Sequence, residues 1–260
     1  MKHVLLYMFM IITVVFMVIL INKNEETVHQ KLLSIDTYYS FIDDENEQMY
    51  VDIYLSDQDH ILTSIDSYES LEVHNKSDKK SMVLSLKDVI YQHDEVYLNE
   101  TFYKYTYIIE MPLLGYDFDI EDCYLDIKLI NGDHYDIYIG SLSLKTVDET
   151  NENSLDWTAL SGRKKTNTYI SRIYEIDIEY VSIKQDIIEI SIGNLYQITY
   201  ELKDDKITIQ IPFELKLFNA CPIIITFEDQ SISIINYFIY MKDFETLKQS
   251  GQLIYHYALN

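Results

Sequence analysis

Glycine, proline and cysteine are scarce in this chain. Six glycines and three prolines in 260 residues exclude collagen-like or linker-dominated sequence, and two cysteines are too few for a disulfide framework. Cations are few as well: 20 Lys and Arg stand against 43 Asp and Glu, a formal charge of -23. Binding along a phosphate backbone needs a basic stripe, so no nucleic acid partner is expected. Chemical signatures are missing too. There is no G-x-S-x-G, no G-x-G-x-x-G and no phosphate-binding lysine loop, and Gly140-Ser141 and Ser161-Gly162 are ordinary turn pairs. His3, His29, His60, His74, His93, His134 and His256 are spread singly, without zinc spacing. No catalytic, cofactor-binding or metal residue is therefore assigned, no cofactor is expected, and the reading leans away from an enzyme.

What the chain does have is apolar and aromatic bulk. Hydrophobic residues make up 48% of it, which excludes a disordered chain and gives enough apolar surface for one large or two small domains without cross-links. Val4–Ile21 reads VLLYMFMIITVVFMVILI, with no charge, proline or glycine. At helical rise this run is about 27 Å long, close to the hydrocarbon thickness of a bilayer. It lacks the polar stripe of a soluble helix and is followed by no small-residue cleavage site, so residues 1–21 read as an uncleaved transmembrane signal-anchor. Lys2 before the run, and Lys23 offset by Glu25 and Glu26 after it, place the amino terminus in the cytoplasm and the remainder outside.

Residues 22–48 fit neither helical nor strand periodicity and read as a juxtamembrane connector ending in Asp43, Asp44, Glu45 and Glu47. Beyond them the period becomes two. Tyr50–Leu55 alternates, and Tyr124–Ile130 and His134–Ile139 flank Asn131-Gly132-Asp133 as a hairpin, since Asn-Gly takes the positive dihedrals of a tight turn. Further strands are expected at 61–65, 81–86, 105–111, 142–145, 173–183, 187–192, 197–202, 207–217, 223–227 and 232–240, with Lys203–Lys206 as a tight connection and Pro212 at an edge or bulge. One wet and one dry face per strand predict an all-β fold of antiparallel β-sandwich modules. The polar interval 147–168, which holds the sole tryptophan, Trp157, divides sandwich domains at 49–146 and 169–260; a single sandwich over 49–260 also fits the length.

Four features invite a functional reading. Asp117, Asp119, Glu121 and Asp122 resemble a hard-cation cluster but lack the ordered spacing of a calcium loop, so a solvated loop is expected. Cys123 and Cys221 would bond only if their Cα atoms came within about 7 Å, and two buried thiols are the simpler expectation. Arg163-Lys164-Lys165, with Arg172 nearby, is the compact basic run in an acidic exterior and a candidate dock for an anionic partner. The 24 tyrosines interleave with acids in YDFDIEDCYLD and HYDIYIG, a pattern that suits recognition of protein or carbohydrate and also suits strands. Asn75-Lys-Ser and Asn99-Glu-Thr are glycan acceptors only in a secretory compartment. Together these features predict a membrane-anchored extracytoplasmic binding or accessory protein with a protein or surface-polymer partner. The alternatives are a cell-surface glycan-active enzyme and a structural subunit of an envelope or export complex.

Overall fold

Side-chain alternation sets most of the strands, and a computed structural model shows how they assemble. It describes residues 30–43, 47–77, 79–147, 154–164, 173–193, 195, 198–211, 217–240, 247–249, 251 and 253–259. Gln30–Ile35 (β1), Thr37–Ile42 (β2) and Gln48–Leu55 (β3) lead to two 3-10 turns at Ile61–Thr63 and Ile65–Ser67. Tyr68–His74 (β4), Ser81–Tyr97 (β5), Glu100–Glu110 (β6), Phe118–Leu129 (β7) and His134–Lys145 (β8) follow. Next come Leu155–Lys164 (β9), Ile173–Ile183 (β10), Ile187–Ile192 (β11), Tyr200–Lys203 (β12) and Lys206–Gln210 (β13). Leu217–Phe227 (β14), Ile232–Tyr240 (β15) and Ile254–Leu259 (β16) complete the described strands.

The larger sheet runs β11-β14-β2-β8-β7-β4-β5-β6-β3-β1-β16, with β15 also on β14. Only Asp36 separates β1 from β2 in the chain, yet they stand near opposite ends of this order. The segment bends there: β1 pairs with β3 (Leu32 opposite Leu55), and β2 pairs with β8 (Thr37 opposite Gly140). The strands between them therefore curl back on themselves into a half-barrel. Gly140 permits the closure, because its φ is 117° and a Cβ there would overlap the Thr37 carbonyl oxygen.

The curl encloses one core, in which Leu71, Val73, Ile53, Ile109, Leu125 and Ile127 alternate inward and are all buried. Tyr107 is fully buried, and its hydroxyl donates to the Leu62 carbonyl at 3.0 Å, as does that of Tyr68 at 2.6 Å. A second core, built largely of isoleucines such as Ile176, Ile178, Ile207, Ile209, Ile223 and Ile225, lies under the four-stranded sheet β12-β13-β10-β9 and strands β11, β14 and β15. Pro222 sits at a register shift of β14, where a missing N–H costs no ladder bond.

Several expectations are corrected. The fold is all-β with half-barrel and sandwich character, but it is not purely antiparallel: β2 runs parallel to both β8 and β14. Among the described residues no helix is long and apolar enough to cross a membrane, and the run Val4–Ile21 lies outside them. On that finding the signal-anchor in the fold, the single-pass location with its outside domain, the membrane as partner and the membrane-anchored accessory role are all corrected. The segment read as a connector contributes β1 and β2, the polar interval contributes β9, and 61–65 forms 3-10 turns rather than a strand. His60 starts the first of these turns by accepting the Leu62 N–H on Nδ1 at 3.2 Å.

Candidate functional site

The last described strand builds the site. In β16 successive side chains face opposite ways, so Tyr255 and Tyr257 share one face and Ile254 and His256 the other. The first face fills the seam left where β1 bends away from β8. The Tyr138 N–H donates to the Tyr257 hydroxyl at 2.7 Å, and the Ser34 hydroxyl donates to the Tyr138 carbonyl at 2.6 Å. Side chains thus satisfy a strand edge that the ladder to β2 serves only from Gly140 onward. The Tyr138 and Tyr255 rings meet at 4.5 Å, and Tyr124 adds a third ring 5.4 Å from Tyr138. Burial first, and the nearby Asp36 carboxylate second, push the Tyr138 and Tyr255 hydroxyls above the ordinary phenol range, so both stay protonated.

The seam ends in a small polar group. Lys76 lies over the Tyr124 ring, 3.7 Å from its centroid, and also pairs with Asp136 at 2.7 Å; the His74 imidazole meets the same carboxylate at 2.8 Å. Burial works to raise the Asp136 carboxyl, but hydrogen bonds from Lys76 and His74 outweigh it and hold the group below the usual range.

The opposite face of β16 forms one wall of a pocket of about 380 Å³, with Lys31 of β1 and the hairpin β5–β6 as the others. Tyr97 and Phe102 are nearly buried, and His256 packs on Tyr97 at 5.3 Å. The rim carries an ion pair between Lys31 and Glu100. Leu98 stands at the hairpin tip, 73% exposed. The tip is a two-residue turn with φ of 50° at Leu98 and 65° at Asn99. Positive φ suits asparagine, but a leucine there is strained by about 1–2 kcal/mol. Such strain at a pocket rim is the kind that function retains.

Other expected features are used inside the fold. Asp119 accepts from the Ser143 hydroxyl at 2.5 Å and pairs with Lys145 at 2.9 Å, while Asp117 takes the Thr146 N–H at 2.9 Å. Glu121 and Asp122 are exposed. Among the described residues no group of three or more His, Cys, Asp or Glu is placed to hold a metal ion. Cys123 and Cys221 are buried and not joined in a disulfide, and the Cys221 thiol donates to the Tyr38 carbonyl. Burial pushes the Cys123 thiol up, away from reactivity.

Arg163 of the basic run is tied into its own sheet. Arg163 bonds both oxygens of Asp177, at 2.8 and 3.0 Å, and pairs with Glu175 at 2.5 Å. Lys165 and Arg172, like Asp44, Glu45 and Pro212, lie outside the described residues. Asp43 holds the backbone N–H of Leu114 and Gly115. Trp157 is half-exposed on the edge strand β9. Asn75 is buried and folds its own side chain onto the Ser77 N–H at 2.6 Å, whereas Asn99 is exposed at the hairpin tip.

The tyrosine-rich segments do come together, through Tyr124 and Tyr138, but the pocket residues Lys31, Tyr97, Glu100 and His256 carry no motif. One signal was present in the sequence: Asn99 at the centre of a long alternating stretch, which marks a turn as well as a glycan acceptor.

Compared with known protein families and with curated proteins, the sequence matches none. Among solved structures it is similar to SGBP-B of the Bacteroides ovatus mixed-linkage glucan utilization locus, in complex with a mixed-linkage heptasaccharide. That similarity is 10% identity over 78% of this chain, with a TM-score of 0.23, and the chain spans 43% of that protein's length. It is also similar to the fibronectin(III)-like modules of Clostridium thermocellum CbhA, with 11% identity over 81% of this chain and 94% of that one and a TM-score of 0.21. A third is the D00-D0 domain of Intimin, with 10% identity over 82% and 100% of the two chains and a TM-score of 0.20. Likeness at these scores carries no argument about what this chain does, so the site must supply it.

Proposed function

We propose that this protein is a non-catalytic recognition module that seats a sugar ring of a polysaccharide in the pocket between β16 and the β5–β6 hairpin. The observation that carries the reading is the pairing of aromatic walls with a polar rim in one concavity. A volume of about 380 Å³ lies at the small end of ligand pockets, which run from about 300 to 1,000 Å³. The exposed His256 ring, backed by Tyr97, offers flat apolar surface to the C–H face of a pyranose, and Lys31 and Glu100 reach its hydroxyls. Hydrolysis by paired carboxylates needs two acids about 5–10 Å apart, and Glu100 is the one carboxylate among the lining residues. That composition favours recognition over turnover. The two larger cores support a division near residues 147–168, although Tyr38 of β2 reaches into the second, and β16 returns to the first unit to complete the site.

Titration calorimetry against a panel of soluble polysaccharides tests the proposal. His256→Ala, which removes an exposed stacking ring, is expected to weaken binding by about tenfold while leaving the unfolding midpoint unchanged. Binding that survives both this change and Leu98→Gly at full strength would remove the pocket from consideration.

A further inference from the structure

We infer that the pocket selects uncharged polysaccharide and rejects polymers that carry carboxylate or sulfate, an inference that rests on the recognition reading above. Among its lining residues Lys31 is the sole lysine or arginine, and it is already ion-paired with Glu100. The pair is neutral in sum yet sets donors beside an acceptor. A vicinal diol matches both: one hydroxyl accepts from the Lys31 ammonium, and its neighbour donates to the Glu100 carboxylate. A uronate or sulfate meets Glu100 with like charge, and the cation that would answer it is spent.

The rest of the molecule reinforces this selection. The chain carries a formal charge of -23, so an anionic polymer is repelled on approach. At physiological salt that field is screened within about 8 Å, which leaves the rim pair to decide the outcome at contact. The hairpin tip adds Leu98, an apolar group with no interest in a charged substituent.

The experiment compares dextran, galactomannan and arabinoxylan with polygalacturonate and chondroitin sulfate, using the full chain. It is run at about 150 mM salt. At least one neutral polymer is expected to bind, and neither anionic one. Glu100→Gln frees Lys31, so this variant is expected to gain at least about tenfold in affinity for polygalacturonate and to lose about tenfold for the neutral polymer. Lys31→Gln is the companion variant: it should lose neutral binding without gaining anions, which keeps the test decisive if one variant folds poorly. Native protein that binds polygalacturonate as tightly as the neutral polymers overturns the charge selection while leaving polysaccharide recognition standing. A gain of anion binding in Lys31→Gln overturns it as well. Binding to none of the five overturns both readings.

Discussion

The two larger cores of this protein are filled by different chemistry. Around the half-barrel, leucine, valine and isoleucine share the interior with Tyr39, Phe41, Met49, Tyr105 and Tyr107. Under the smaller sheet the filling is mostly isoleucine, with Tyr38, Leu155, Cys221, Phe227 and Phe238 beside it. Isoleucine packs a pleated surface and has no polar end, so its strands need nothing beyond register. A tyrosine brings area together with a hydroxyl that must find a partner, which ties Tyr68 and Tyr107 to the Leu62 carbonyl and Tyr257 to β8. The half-barrel, whose wall is bent and interrupted, is where those polar ends are useful, and the pocket lies on it. In the smaller sheet Arg163, Lys206 and Thr208 converge on Asp177.

The sharpest way to break the comparison is at the closure. Gly140→Ala forces a methyl into the Thr37 backbone at a φ that L-residues avoid, and is expected to cost about 3 kcal/mol or more, read as a lowered denaturant midpoint. If the variant unfolds at the native midpoint, the half-barrel does not depend on that approach. Next in size is Ile178→Ala in the second core, at about 2–5 kcal/mol. Hydrogen exchange should then show lost protection in β10 and β13 with β5 and β6 unaffected; equal losses in both would mean the two cores unfold as one.

The smallest effect is electrostatic. Burial acts to raise the Asp177 carboxyl, but bonds from Thr208 and Arg163 prevail and hold it below the ordinary aspartate range. A lowered folded value means that its stabilising contribution is present above the unfolded value of about 3.9 and is lost as pH falls through the folded one. Acid titration of Asp177→Asn should show a shallower loss of stability below about pH 4, confined to signals from the smaller sheet. A native-like acid limb in the variant would show that other groups set it.

How much of this was legible depended on burial. Strands whose sequence alternates apolar with polar residues announced themselves: β10, β11 and β15 span the ranges that this alternation marks, even though Glu175 and Asp177 of β10 are themselves buried. Strands β1 and β2 did not, because QKLLSI and TYYSFI are buried on both faces and a strand covered on both sides has no alternation to read. The Asn131-Gly132 turn was visible because glycine advertises positive φ, and Gly132 takes 93°. The turn at Leu98–Asn99 was hidden because a leucine occupies a position that its side chain disfavours. The basic run was legible as charge, but sequence cannot show that Asp177 lies across the sheet from Arg163. The pocket was illegible for a related reason: Lys31, Tyr97 and His256 meet only through the pairing of β1 with β16.

That pairing sets a timetable. Gln30 lies opposite Leu259 and Ile35 opposite Ile254, so the first described strand waits for the last before its outer edge is served. Contacts across so much chain are slow to form, and ribosomes deliver them late. During synthesis the half-barrel can curl while β1 stands open along that side, and the pocket lacks a wall until β16 emerges and docks. The concavity is thereby absent from the nascent chain until that one strand docks.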